Sequence, residues 1–263
     1  MARARKPPPA KAGAASGGSS SSERSLRLLA LLAQEGRALS LAEVGVRLGL
    51  PKATTHRLCT QLQETGFLAR DTHEKCYAVG PALRRLAFDT LNHGVVRGLR
   101  HEVLAALVMQ IGETCNFTTL DGTQVLYIDR VEAQWPLRLT LDVGSHVPLH
   151  CTASGKLFLA LMPDAQRDVV LASLPLPKMT PRTLTTRAAL QRACARIAAD
   201  GYSTDDEEFI AGLIAVAVPV HDSQGQARAA IAVHAPSARM SLRAAEATLP
   251  KLRAAAGRMA GLL

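Results

Sequence analysis

Lys52, Ala53, His56, Arg57 and Thr60 recur at helical spacing, with Thr54 beside them, while Thr55, Leu58 and Leu62 form the complementary inward stripe. A helix face of Lys, His, Arg and Thr can hydrogen-bond base edges and phosphates in a DNA major groove. The residues before it supply the partner helix. Ser40 and Glu43 make an S-x-x-E capping box, which starts a helix at about Leu41, with Leu41, Val44 and Leu48 on one side. Gly49 turns the chain, and Pro51 suits the first position of the second helix, where its missing N–H costs nothing. Gly66 ends that helix. Residues 67–70 and 76–79 read as two short strands around a polar tip, Asp71 to Lys75. Helix, turn, helix and hairpin together predict a winged helix-turn-helix, with Arg70 and Lys75 at the tip placed for phosphates. The plainer alternative is a solvated helix and ordinary surface charges.

Charge patterning agrees with the first reading. The chain carries 31 Lys+Arg against 22 Asp+Glu, and residues 1–100 hold 16 of the basic and 7 of the acidic groups. The whole excess therefore lies in the first 100 residues, as expected of a phosphate-binding module joined to a neutral one. Residues 1–22, rich in Pro, Ala, Gly and Ser, predict a disordered basic tail. Pro7, Pro8 and Pro9 stand where a signal peptide would need an apolar core. Apolar stretches reach only about eight residues, so no membrane partner is expected and the location read from the sequence is cytoplasmic, at the nucleoid. Five widely spaced cysteines without C-x-x-C suit free thiols.

The second half offers His146, His150, Cys151 and His234 as chemistry-bearing residues. A thiol nucleophile needs a base within reach and a group orienting that base, which sequence neighbours rarely provide. Pro148 between His146 and His150 argues against the helix that would align them on a metal. No cofactor, metal or catalytic residue is expected, the rival reading being a metabolic enzyme or metal protein carrying a helix-turn-helix. A small-molecule pocket is the stronger prospect. Alternation puts Leu213, Ala215 and Ala217 on one strand face and Ala230, Ala232 and His234 on one face of its hairpin partner. Those alanine faces leave space for a packed helix or a ligand. Ala153 and Ser154 open a helix whose free amides favour an anion, and residues 205–208 form an acidic run.

The elements that position these residues divide as a tail (1–22), a winged helix-turn-helix domain (23–80), a linker helix (81–94) and an effector-binding domain (95–263). Helices are expected over residues 23–33, 82–91, 95–111, 152–161 and 188–199, with another following Pro163 and a single one over 241–262. Strands are expected over 114–120, 124–131, 137–143, 202–205, 213–220 and 227–235. The fold class is α+β, the C-terminal α/β part having a mainly antiparallel sheet because hairpin turns outnumber crossovers.

From Glu23 onward the chain resembles the IclR type (isocitrate-lyase-regulator type) of bacterial transcription factors. The resemblance rests on residues 49–70, Val79-Gly80, residues 148–163, TPRTLTT from Thr180, residues 200–213 and AVAVPV from Ala215, in that order. It implies a repressor or activator of a catabolic or metabolic operon, a homodimer or homotetramer binding double-stranded operator DNA and a small organic acid effector. It also implies an effector pocket of Ala153, Ser154 and Asp205 with apolar walls Leu139, Val147 and Leu213, His150 lining it or a core edge. A cysteine and two serines common in the family's small-acid binders are Ala215, Ala232 and His234 here. Loss of such hydrogen bonds, at about 1 kcal/mol each, predicts a ligand with more apolar surface than a tiny 2-oxo acid, aromatic or medium-chain acids being candidates.

Overall fold

The computed structural model describes residues 20–35, 37–70, 75–92, 94–135 and 141–262. The chain forms two compact units, residues 1–83 and 84–263.

In the first unit, α1 (Ser21–Glu35) precedes β1 (Leu39–Ser40), α2 (Leu41–Leu48), α3 (Lys52–Glu64), β2 (Leu68–Arg70) and β3 (Cys76–Val79). The expected tail is shortened by this helix: Ser20 Oγ accepts the Glu23 amide at 3.1 Å and brings Ser21 and Ser22 into α1. Residues 1–19, and 71–74 at the hairpin tip, lie outside the described residues. The capping box is formed, with Ser40 N donating to Glu43 Oε2 at 2.8 Å and Ser40 Oγ accepting from Glu43 N at 3.3 Å. Gly49, with φ 66°, turns α2 into α3. Pro51 stands one residue ahead of α3 and not at its first position, and its carbonyl accepts the Thr55 amide and hydroxyl, both at 3.0 Å. Leu28, Leu32, Val44, Leu58, Cys59, Leu68 and Tyr77 fill this unit's core. The hairpin is widened by β1, which no periodicity announced: the sheet order is β1-β3-β2, with Leu39 opposite Tyr77. Gly80 binds this wing to α3, since a Cβ there would lie 2.2 Å from Gly66 O, and its N–H donates to Phe67 O at 2.8 Å.

The second unit begins within α4 (Pro81–Asn92) and continues through α5 (Gly94–Ile111), β4 (Thr114–Asp121), β5 (Gln124–Val131) and β6 (His146–Pro148). Then come α6 (Ala153–Leu161), α7 (Asp164–Ser173), α8 (Arg187–Asp200), β7 (Ser203–Asp206), β8 (Leu213–His221), β9 (Ala227–Pro236), α9 (Leu242–Glu246) and α10 (Leu249–Ala260). Six strands in the order β6-β5-β4-β9-β8-β7 make one sheet in which every pairing is antiparallel. Alternation assigns its faces. Ile214, Val216, Val218, Ile231 and Val233 pack in one core with Leu104 and Leu107 of α5 and Leu252 and Met259 of α10. Ala215, Ala217, Ala230 and Ala232 pack in the other, with Leu157 of α6 and Leu190 and Ile197 of α8. The alanine faces thus admit a helix: α6 is buried from Ala153 to Ala160.

Two expected elements differ. Of the strand expected over 137–143, residues 136–140 lie outside the described residues and Val143 and Gly144 are a turn; β6 pairs with β5 instead. The expected single C-terminal helix is two, because Pro250 lacks the N–H that would continue α9 into α10.

A Cβ on Gly155 would sit 2.4 Å from Leu149 O and 2.6 Å from Thr152 Oγ1, whereas one on Gly257 of α10 meets nothing within 4 Å. Gly155→Ala is therefore expected to lower stability by about 1–3 kcal/mol through overpacking, and Gly257→Ala to raise it by about 0.5–1 kcal/mol through helix propensity. Urea melts of the two variants check the pair; equal effects would contradict the packing described.

Candidate functional site

Two regions gather the polar groups. In the first, Lys52, Ala53, His56 and Arg57 of α3 are exposed while Thr55, Leu58 and Cys59 are buried; Thr54 and Thr60 are half-buried. Nearby arginines are already engaged. Arg37 donates to Glu43 at 2.9 Å and Arg47 pairs with Glu35. The Ser40 amide, and after it Arg37, holds the Glu43 carboxyl down at about 2, so the cap is charged at any physiological pH. Among the described residues Lys52, Arg57 and Lys75 have no ion-pair partner. Arg70, exposed at the end of β2, stacks its guanidinium 5.5 Å from the ring of Tyr77, its cross-strand neighbour. Lys75, exposed, opens β3 with a φ of 54°. The result is a fixed helix face and a hairpin edge, both cationic and open.

The second region is the layer between the six-stranded sheet and α6. Cross-strand register lines up Asp205, Ala215, His234 and Thr114 in one row, and Ser203, Ala217, Ala232, Asn116 and Arg130 in the next. Above these rows α6 begins. Thr152 Oγ1 accepts the Gly155 amide at 3.1 Å, leaving the Ala153 and Ser154 amides without partners among the described residues. Five buried side-chain atoms among the described residues lack any hydrogen-bond partner: Asn116 Nδ2, His150 Nδ1, Ser203 Oγ, Glu208 Oε2 and His234 Nδ1. Asn116, Ser203 and His234 lie in these two rows, and Glu208 pairs with Lys156 of α6. A buried polar atom without a partner costs about 1–3 kcal/mol, so these four groups retain unused hydrogen-bonding capacity.

Burial sets the charges here. Asp205 Oδ1 accepts the amides of Glu208 at 2.7 Å and Phe209 at 3.3 Å, yet desolvation outweighs them and Lys156, pushing the carboxyl up to about 7. The His234 imidazole, edge-on to Tyr127 with centroids 6.4 Å apart, is driven down to about 3 by burial and then by Arg130. It is neutral. Lys156 of α6 pairs with Glu208. Thr180 Oγ1 donates to Glu207 O and Thr183 Oγ1 to Glu208 O, each at 2.7 Å, so the TPRTLTT segment clamps the acidic loop in place. Burial, then Asp205 and Glu208, pushes the Cys151 thiol up to about 12, which leaves almost no thiolate to act as a nucleophile. His150 Nε2 lies 3.0 Å from Pro177 O and His146 Nε2 lies 2.9 Å from Asp121, so the two histidines face different partners.

Of the residues singled out from sequence, Ala153, Ser154, Asp205, Ala215, Ala232 and His234 meet in this layer, Val147 joins the same core from β6, and His150, buried, turns its Nε2 to Pro177 O. Leu213 is buried one alternation step before Ala215, and Leu139 lies outside the described residues. Glu208 belongs to the acidic run read from the sequence, whereas nothing there singled out Asn116, Tyr127, Arg130, Lys156 or Ser203. Alternation could have found Ser203 beside Asp205; nothing local marks Asn116.

The model of the IclR helix-turn-helix domain matches residues 21–72, and that of the bacterial transcriptional regulator IclR C-terminal domain matches residues 88–260. The chain is 44% identical over 236 residues to "Probable transcriptional regulator SauR" of Cupriavidus necator, covering 90% of this chain and 94% of that protein. It is 32% identical over 220 residues to the transcriptional repressor IclR of Escherichia coli K12, covering 83% and 80% of the two chains. Among solved structures it is similar to an IclR homolog of Microbacterium hydrocarbonoxydans complexed with 4-hydroxybenzoate, with TM-score 0.58, 26% identity, and coverage of 93% and 99%.

Asp205 and His234 oppose each other in their effect on stability. The stabilising contribution of Asp205 is complete below the ordinary carboxyl value of about 4 and is lost as pH rises through about 7. That of His234 is complete above about 6.5 and is lost as pH falls towards about 3. Relative to wild type, Asp205→Asn should make stability climb more steeply between about pH 4 and 6.5, and His234→Gln should make it climb less or fall. Denaturant melts across that range check the signs; parallel profiles for all three proteins would contradict them.

Proposed function

The chain belongs to the IclR family of bacterial transcriptional regulators, and we propose that it binds a pseudo-palindromic operator through α3 and answers to an organic acid held under α6. The observation that carries the DNA half is the exposed Lys52, His56 and Arg57 face on a helix fixed by a capping box and a left-handed glycine. Lys52, Ala53, Thr54, His56, Arg57 and Thr60 meet base edges or nearby phosphates, while Arg70 and Lys75 hold the backbone. Two copies place two such helices on successive half-sites. Leu86, Val95 and Leu99 stand exposed on α4 and α5 and suit burial against a second copy. No helix among the described residues is long and apolar enough to cross a membrane, and the reading places the protein on operator DNA in the cytoplasm, without catalysis.

The acid half is supported by the partnerless polar atoms and free amides of the α6 layer, and by the raised carboxyl of Asp205, which can donate to an acid's oxygen while protonated. The 4-hydroxybenzoate bound by the Microbacterium homolog makes aromatic acids the first to try. A ligand changes DNA affinity only by binding the competent and incompetent states unequally. Strand β5 offers a route. Arg130 reaches the ligand layer, while its neighbour Asp129 points to the opposite face and accepts from the buried Arg100 of α5 at 3.3 Å.

A footprint of the purified protein on the DNA flanking its own gene tests the proposal, with a protected pseudo-palindrome expected. On that site Arg57→Ala should weaken binding by about 1–3 kcal/mol if Arg57 makes a bidentate base contact. An equal loss on random DNA would assign Arg57 to phosphate, and no protected site with or without acids would overturn the reading.

A further inference from the structure

Resting on the reading that the α6 layer holds an acid, we infer that the layer has a second recognition end, Asn116 with His234, which takes a hydrogen-bond acceptor at the opposite end of the ligand. Arg130 Nη1 donates to Asn116 Oδ1 at 2.8 Å. A guanidinium can only donate, so the amide orientation is fixed and the free atom of Asn116 is the donor Nδ2. That donor is fully buried and without a partner. His234 Nδ1, likewise without a partner, belongs to the adjacent strand: Thr114 opposes His234 where Asn116 opposes Ala232. A neutral imidazole presents either a lone pair or an N–H, so it accommodates a hydroxyl as well as a carboxylate. The Arg130 guanidinium, engaged by Asn116 and Glu132, adds positive potential at this end.

The two ends are separated by an apolar span. Asp205 is on β7 and Asn116 on β4, three strands apart in the sheet order. At about 4.8 Å per strand, and about 3.3 Å for each of the two residues by which their rows are offset, this is about 16 Å, and a hydrogen bond of about 2.9 Å at each end leaves about 10 Å for the ligand. The methyls of Ala215, Ala217 and Ala232 lie between. The ligand class is therefore an organic acid with a flat or extended apolar body and a second oxygen, phenolic or carboxylate, at its far end. An unsubstituted acid with the same body leaves Asn116 Nδ2 without a partner.

Calorimetry on the full chain with benzoate, 4-hydroxybenzoate and terephthalate separates the possibilities. At least one of the two para-substituted acids should bind about tenfold more tightly than benzoate, as a buried charge-assisted or neutral hydrogen bond provides. Asn116→Ala should abolish that advantage while leaving benzoate affinity unchanged, and His234→Ala, which keeps the test open if the first variant does not fold, should reduce it. Asp205→Ala, which removes the donor, should weaken all three acids alike. Equal affinities in the wild type, or a preference that survives both far-end variants, would overturn the second end. If Asp205→Ala still weakens all three in that case, the acid site itself stands. If none of the three binds, or if Asp205→Ala changes nothing, the acid site and its second end fall together.

Discussion

The close seating of α6 on the alanine faces of β8 and β9 is the constraint on which the second unit depends. Gly155 permits it, because any Cβ there would collide with Leu149 O, and Thr152 secures the first turn. The seating has a consequence. It buries polar side chains from four strands and a loop under a helix whose first amides have no partner among the described residues, and it leaves four of their atoms, Asn116 Nδ2, Ser203 Oγ, Glu208 Oε2 and His234 Nδ1, without partners. A protein selected only for stability would have replaced these groups with apolar ones, since a partly satisfied polar network is worse than none. Their retention fits a layer completed by a bound molecule.

The first unit solves a different problem. Glu43 and Glu35 pair with Arg37 and Arg47, while Lys52 and Arg57 of α3 and Lys75 at the hairpin have no ion-pair partner among the described residues. The net positive charge of the chain lies within its first 100 residues, and residues 101–263 are neutral. Across β5, Arg130 on one face bonds Asn116 and Asp129 on the other bonds Arg100 of α5, an arrangement that follows from strand alternation.

What the sequence disclosed is what short-range chemistry encodes. The capping box, Gly49 and Gly66 fix the helix pair from neighbours a few residues apart, so α2 and α3 were legible, and alternation alone assigned the faces of β8 and β9. Whether a helix or a ligand covered the alanines was not legible, because α6 lies some sixty residues before β8 and its depth depends on Gly155. Asn116 joins the layer only through the β4–β9 register, which no local pattern specifies, whereas alternation along β7 puts Ser203 on the same face as Asp205. Pro250, which lacks the N–H to continue α9, is a local signal for the break within the expected C-terminal helix. Residue types told where polar groups occur; topology decided which of them meet.

The account turns on one coupling, between the layer under α6 and the helix face on DNA. Fluorescence anisotropy of a labelled operator, titrated with protein at increasing concentrations of a binding acid, measures it directly. Coupling is reciprocal, so the factor by which the acid changes operator affinity must equal the factor by which the operator changes acid affinity. Matched factors are expected in the wild type, and their disappearance in Asp205→Ala. An acid that fills the layer while operator affinity stays constant would contradict the coupling.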